Sequence, residues 1–322
     1  MISLVATVLN EKNNLADWLD ALLSQSVLPQ EIVIVDGGST DGTWEFLQER
    51  AKKNFIIKLF QHAGNISAGR NFAIGKAQYN FIVVTDAGCI YDTSWLQKIS
   101  EPLASGKADF AATGFGPWFK ESDCLFVRLI AAATIPGPSE FKKDWLPSSR
   151  SVAFKKDLWQ RVHGYPEWIP LCEDVIFDLK ILKLGIKPDY IREPLVFWRP
   201  RVTLKKYFRQ LFGYTRSDGH GKLWLYRHIV RYVYYAVGVY VIYLTFSFSY
   251  NFIWLGLFGL SVYMVKFWKR WGIFSANFSF LKKILGYVLV PAVVIFGDIA
   301  KMCGWPMGVY ERKIGKIKFS QS

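Results

Sequence analysis

"FIVVTDAGC", Phe81 to Cys89, decides the fold: an apolar, β-branched run stops at one acid, Asp86, and two of the smallest residues follow. An unbroken apolar run of this length reads as a strand covered on both faces, the habit of parallel sheets. Three runs of the same kind precede it, "ISLVATVL" from Ile2, "EIVIVD" from Glu31 and "FIIKLF" from Phe55. Helical patterns separate them, "NNLADWLDALLSQS", "GTWEFLQERAKK" and "SAGRNFAIGKAQ", and "SWLQKISEPLA" comes after. This alternation predicts an α/β fold with a mostly parallel sheet and helices on both faces. Ligands of such sheets sit beyond the carboxyl ends of the strands, where strand order reverses. Three strands end in a polar residue there, at Asn10, Asp36 and Asp86, so the lone carboxylate belongs to a site.

The 322 residues allow one large domain or two ordinary ones, and 51% hydrophobic with 17% aromatic residues is rich for a soluble chain. From residue 226 onward there are 12 Lys and Arg against 2 acids, so +10 of the net +14 lies in the last 97 residues. These charges flank apolar runs instead of forming a stripe with base-reading motifs, which favours an anionic membrane surface over nucleic acid. Cys89, Cys124, Cys172 and Cys303 are far apart without metal-ligand spacing, and read as free buried thiols on the cytosolic side with no disulfide. The opening "MISLVATVLNEK" has an apolar run of eight and no basic leader, and reads as a first strand and not as a secretion signal.

Residues 117–147 are punctuated by Pro, Gly and aromatic side chains around one helical stretch, and suit a substrate-facing excursion. A helix from Glu173 to about Leu184, ended by Gly185, follows, then the strand "YIREPLVFW" and a basic aromatic helix across 200–217. No charged residue occurs in the 34 residues from Tyr232 to Val265. One helix of that length would reach about 51 Å, well beyond a bilayer core of about 30 Å. A hairpin over 229–266 with its turn at "SFSYN", 247–251, fits, with Arg227, Arg231, Lys266, Lys269 and Arg270 on one side as the positive-inside rule asks. A third apolar segment, 284–300, has 14 uncharged residues from Ile284 to Gly297 and a proline at 291; it is short for a span and reads as re-entrant or interfacial. Were it to cross, the basic end "ERKIGKIK" would lie outside. The expected division is therefore a catalytic domain over 1–217 and a membrane region over 218–322.

In "IVIVDGGSTDGTWEFL", Asp36 can accept from a base N–H or a ribose hydroxyl, and the glycines that begin with Gly37 let a ligand approach the backbone. Ser39, Thr40 and Asp41 are first of all helix caps, with Asp41 also a nucleotide-side candidate. "GNISAGRNFAI" places Arg70 and Asn71 in a short helix capped by Ser67, and an arginine beside the crevice suits a diphosphate. A Walker lysine motif and a GxGxxG turn are both missing, so neither ATP hydrolysis nor dinucleotide redox chemistry is indicated.

With these pieces the chain resembles a family 2 glycosyltransferase of GT-A fold. The matching residues are "NE" at Asn10 and Glu11, "VDGGSTDGT" from 35 to 43, "GRN" at 69–71, "TDAG" at 85–88 and "ED" at Glu173 and Asp174. The resemblance covers residues 1 to about 217. It implies a nucleotide-diphosphate sugar donor, a UDP-sugar foremost, a Mg²⁺ or Mn²⁺ ion, and inversion at the anomeric carbon. Asp86 is then metal and ribose ligand, since a leaving diphosphate needs a hard cation held by carboxylate oxygens. Asp174 is the base that takes the acceptor hydroxyl's proton, with Glu173 beside it. The chain departs from the family in carrying Gly88 where many relatives have the second acid of DxD, "TVLNE" for the common "PxYNE", and no "QxxRW". In place of the last, Arg199, Arg201, Arg209, Gln210 and Arg216 are candidates to close over the diphosphate, with Arg209 and Arg216 foremost.

The reading is an enzyme, an inverting, membrane-bound glycosyltransferase of cell-envelope or polysaccharide biosynthesis, with a cytosolic catalytic domain and a lipid-linked glycan or glycolipid as acceptor. Two alternatives stand beside it: a polyprenyl-phosphate sugar synthase, which needs no base, and a catalytically silent subunit of a polysaccharide-export assembly. A sugar-nucleotide pyrophosphorylase would need a glycine-rich basic loop near its start, and "TVLNEKNN" is not one.

Overall fold

Alternate residues of a strand face opposite ways, and in the first strand both sets are largely buried, Ile2, Leu4, Ala6 and Val8 on one face and Ser3 and Val5 on the other. A computed structural model describes residues 1–142 and 145–316. Lys143 and Asp144 of the expected excursion, and Lys318 of the basic end, lie outside the described residues. The chain forms two compact units, one of residues 1–118 and 138–199, the other containing 119–137 and 200–316.

In the first unit, β1 (Ile2–Val8), α1 (Lys12–Leu23), β2 (Glu31–Asp36), α2 (Thr43–Lys53), β3 (Ile57–Gln61), α3 (Ile66–Lys76) and β4 (Phe81–Asp86) form the expected alternation. Then come β5 (Cys89–Tyr91), α4 (Trp95–Ala104) and β6 (Phe110–Pro117); α5 (Leu125–Thr134) belongs to the second unit. β7 (Val152–Lys155), α6 (Lys156–Arg161), α7 (Glu173–Lys183) and β8 (Asp189–Trp198) complete the first. Eight strands make one sheet in the order β3-β2-β1-β4-β7-β6-β8-β5. The half that holds β1 to β4 is parallel, whereas β7 and β5 run against their neighbours. Leu4, Ala6 and Val8 face α1 and α4 through Leu15, Trp18, Trp95 and Ile99, while Val5, Val33 and Val84 face Ala73, Ile74 and Phe177 on the other side. Burial on both faces is why these strands read as unbroken apolar runs.

Strand order reverses at β1, which lies between β2 and β4. The register pairs Val8 with Asp36 and Thr7 with Asp86, so two acids flank the end of β1 at one level. The fold thus delivers Asn10, Asp36 and Asp86 to one edge of the sheet.

The second unit is helical: α5, α8 (Leu204–Gly221), α9 (Leu225–Ser247), α10 (Phe252–Phe274) and α11 (Phe280–Lys313). Residues 119–137 of the expected excursion contribute α5, which packs on α10 and α11. Arg128 of α5 lies between the rings of Phe119 and Phe278 and donates to the Phe274 carbonyl at 2.6 Å. The compact units part near residue 200, because α8 packs along α11. Glycines make the fit: a Cβ on Gly304 would strike the Phe212 carbonyl, and one on Gly308 the Arg216 carbonyl.

α9, α10 and α11 are long and apolar enough to cross a membrane. The turn between α9 and α10 falls at 248–251. The expectation of a short third segment is corrected: α11 is one helix of 34 residues that runs through Pro291 and Pro306. Its contacts follow the base of the α9–α10 hairpin. His228 stacks on Trp305 and Tyr232 donates to the Met302 carbonyl, Tyr235 and Tyr263 both reach Asp298, and Trp268 and Trp271 donate to the carbonyls of Tyr287 and Lys283. The cysteines are free, but only Cys89 is buried; Cys124 and Cys303 are exposed, the first as N-cap of α5 and the second on the outer face of α11.

Candidate active site

The turn after β2 is organised by its acid. Asp36 is fully buried, and its carboxylate accepts from the Gly38 and Ser39 amides at 3.1 and 3.0 Å, from Ser39 Oγ at 2.5 Å and from Gln61 Nε2 at 3.4 Å. These bonds hold the carboxylate in its own turn, at the strand end where the base or ribose contact is expected. Gly37 bonds to the Val8 carbonyl at 2.9 Å. Ser39 and Thr40 do not cap a helix but fasten Asn10: its amide donates to Ser39 Oγ and its Oδ1 accepts the Thr40 amide. Asp41 accepts from the Lys12 and Thr43 amides and from Thr43 Oγ1, and the last bond leads in drawing its carboxyl below the ordinary value. The two loops at the end of β1 and β2 are therefore one stitched unit, with Glu11 held through its amide by Thr43.

Helix α3 starts at Asn65, whose side chain accepts the Ala68 amide; the expected cap, Ser67, is buried inside the first turn. Arg70 is 2% exposed and lies over the ring of Tyr165. Its two terminal nitrogens reach different acids, Nη1 to Glu173 Oε1 at 2.5 Å and Nη2 to Asp86 Oδ1 at 2.6 Å. Arg70, expected beside the diphosphate, joins the end of β4 to the start of α7. Its neighbour Asn71 ties the same helix to the chain before α7, donating to the Tyr165 carbonyl and Glu167 and accepting from the Tyr165 amide and Trp159.

Asp86 is half-buried, with Oδ2 3.9 Å from Arg150 Nε, and Arg150 lies over Trp198, 3.5 Å from the ring centre. Burial works to raise the Asp86 carboxyl, but Arg70 and Arg150 outweigh it and hold it below the ordinary value. Burial lifts Glu173 above its ordinary value against the pull of Arg70, and the charge of Asp174 adds to the lift. Asp174 keeps one oxygen on the Val175 amide, in the first turn of α7, where the helix dipole favours a carboxylate. The residue before the pair, Cys172, has φ +63°, a left-handed conformation that turns the chain into the helix at this point. Arg150, Trp198 and Tyr165 were not singled out by sequence, since each acts through a partner distant along the chain, and neither was Asp178 of α7, whose buried carboxylate oxygens have no hydrogen-bond partner among the described residues.

A divalent cation takes hard oxygen ligands, and Mg²⁺ is held through one or two carboxylates together with substrate phosphates. Asp86 Oδ2 is one such oxygen. A Cβ placed on Gly88 would lie 3.7 Å from Glu11 Oε2, so the glutamate carboxylate stands near the place where relatives have their second acid. Among the described residues no group of three or more acids, His or Cys gathers as a complete metal site. The residues fit a cation shared with the donor diphosphate, held by Asp86 with Glu11 beside it. Such a cation supplies neutralisation of the charge that develops on the leaving diphosphate.

Arg209 and Arg216 lie on α8, in the second unit. Arg209 is exposed. Arg216 is engaged by Glu311 through Nε and Nη2 at 2.6 and 2.5 Å, with His220 on the same carboxylate at 2.9 Å.

Residues 3–133 match the family model of glycosyl transferase family 2. The chain carries a family 2 glycosyltransferase domain. Among curated proteins, the chain is 23% identical over 229 residues to the O-antigen chain rhamnosyltransferase RfbN of Salmonella typhimurium, covering 64% of this chain and 70% of that one. It is 24% identical over 223 residues to the succinoglycan biosynthesis protein ExoA of Rhizobium meliloti, covering 66% and 68%. Of the curated relatives it matches, the chain spans 18% of the length of one and 70% of another. Among solved structures it resembles the mannosyltransferase PcManGT from Pyrobaculum calidifontis in complex with GDP-Man and Mn²⁺, with TM-score 0.54, 16% identity, and cover of 98% and 88%. The fold of the glycosyltransferase is of the GT-A type.

Proposed function

We propose that the chain is an inverting glycosyltransferase that moves a sugar from a nucleotide diphosphate, a UDP-sugar first among the candidates, to a hydroxyl of a membrane-held acceptor. A lipid-linked glycan or a glycolipid of cell-envelope or polysaccharide synthesis is the acceptor class. The observation that carries the reading is the clamp: Arg70 joins Asp86, at the sheet edge where a donor diphosphate belongs, to the acids that open α7. Asp174 takes the proton of the acceptor hydroxyl as its oxygen attacks the anomeric carbon and the bond to the diphosphate breaks on the opposite face. Glu173 is a positioning residue, because its carboxylate is occupied by Arg70. The apolar helices of the second unit support an acceptor held at a membrane, since a soluble acceptor needs no anchored enzyme.

Two measurements test the reading. Purified protein in detergent, offered UDP-, GDP- and dTDP-sugars, should hydrolyse one class slowly without acceptor and transfer from it when lipid acceptors are added. A well-placed base is worth about 10² to 10⁴ in rate, so Asp174→Asn should lower kcat by about that factor while donor binding by calorimetry is unchanged. Near-normal transfer by Asp174→Asn would mean that the acceptor is already ionised, and the polyprenyl-phosphate synthase reading would replace this one.

A further inference from the structure

Helix α7 carries a third acid, and the Arg70 clamp leaves it out. Asp178 follows Asp174 by four residues, one turn on along the same face; Asp174 is partly exposed, whereas Asp178 is fully buried. Both of its carboxylate oxygens are buried without a hydrogen-bond partner among the described residues. The groups that face it are Arg70 of α3, Tyr165 in the chain before α7, Glu173 and Asp174 at the start of its own helix, and Tyr190 of β8, whose hydroxyl is also buried without a partner. An ionised carboxylate does not stay alone in such a place: it is paired, or it takes a proton. Burial, with the charge of Asp174 added, lifts the Asp178 carboxyl well above its ordinary value against the pull of Arg70.

Arg70 is the cation that faces Asp178, and its terminal nitrogens are engaged by Glu173 and Asp86. Its remaining nitrogen, Nε, is buried with no partner among the described residues. Four acids, Asp86, Glu173, Asp174 and Asp178, therefore face one guanidinium, with Arg150 beside Asp86. A proton on Asp178 lowers this excess of negative charge. It also singles out Asp174 as the carboxylate of the turn that can receive a proton, since Glu173 is held by Arg70.

We propose that Asp174 and Asp178 work as a pair that holds one proton, kept on Asp178, which makes Asp178 a positioning residue for the base. The pair takes its second proton, on Asp174, from the acceptor hydroxyl. Loss of the first would place another buried charge behind the base and offer Arg70 Nε an acceptor, drawing the guanidinium off Asp86 and Glu173. Turnover should then fall on the alkaline side as Asp178 ionises. The role of Asp178 rests on the reading of Asp174 as the base; the proton on Asp178 does not.

The test uses the full chain in detergent. Infrared difference spectra, wild type minus Asp178→Asn, should show the carbonyl stretch of a protonated carboxyl at neutral pH, fading as pH rises. With UDP-, GDP- and dTDP-sugars as probes, kcat for hydrolysis of the one accepted should fall over the same range, by about tenfold per pH unit for a one-proton loss. Asp178→Asn, which is neutral at every pH, should abolish that alkaline fall while the loss at low pH remains. Asp178→Leu, similar in size and equally unable to ionise, should do the same and keeps the proposal falsifiable should the asparagine variant fail to fold. Absence of the protonated-carboxyl band overturns the pair, and so does an alkaline fall that both variants retain. The band together with near-normal turnover by Asp174→Asn would support the proton on Asp178 and sink the base reading.

Discussion

Arg70 holds two acids with two arms of one planar guanidinium, a geometry that a lysine cannot copy because its single ammonium is a point charge. Arg70→Met leaves Asp86 and Glu173 without their partner, and breaking a buried pair in this way costs about 3–5 kcal/mol, readable in denaturant unfolding of the detergent-solubilised protein. Arg70→Lys should keep most of that stability but lose one bridge, so kcat should fall while donor affinity changes little. The acid side gives a second readout with a defined sign. Asp86 is held below its ordinary value in the folded state, so its contribution is complete above the unfolded value of about 3.9 and is lost as pH falls through the folded one. In Arg70→Met that acid-side loss should shrink; an unchanged profile would mean that Arg70 does not hold Asp86. The sequence made Asp86, Arg70 and the acids at 173 and 174 visible as site residues. It did not make visible that Arg70 bridges Asp86 and Glu173, because burial to 2% and two partners, 16 and 103 residues away, are properties of the folded chain. Asp36 shows the same limit: an acid at a strand end looks the same whether it waits for a ligand or ties its own turn.

At the scale of elements, strands with long apolar runs and helices with clear periodicity were legible, and short or irregular ones were not. β5 has three residues and exists through its pairing with β8, so nothing local announces it. β6 carries Gly114 and Gly116, which weaken the strand pattern, and its register with β8 shifts on both sides of Gly114. α11 read as a short segment because Pro291 and the charge at Asp298 look like ends, yet neighbouring helices hold the backbone through both prolines. The glycines of α11 were mute in sequence and are structural in the fold. Gly308→Ala should push α8 away, since the new methyl meets the Arg216 carbonyl and not a side chain that can turn aside. Overpacking of this kind costs about 1–3 kcal/mol, and limited proteolysis should cut α8 faster in the variant. Gly259→Ala on α10, where a Cβ meets nothing, is the control and should leave the cleavage rate unchanged.

Over the whole molecule, charge and apolarity separate along the chain: +10 of the formal +14 follows residue 225, at the ends of helices long enough to span a bilayer. By the positive-inside rule, the flanks at Arg227, Arg231, Lys266, Lys269 and Arg270 predict that both ends of the hairpin lie on the cytosolic side. The turn at 248–251, with Phe248 and Tyr250 exposed, then lies across the membrane. Single cysteines at Ser249 and Lys269, introduced after Cys124 and Cys303 are replaced by serine, should react with an impermeant maleimide from opposite sides of sealed vesicles. The replacement matters because both native thiols are exposed and would report on their own positions. Labelling of both positions from one side would mean that α9 and α10 lie in the interface without crossing.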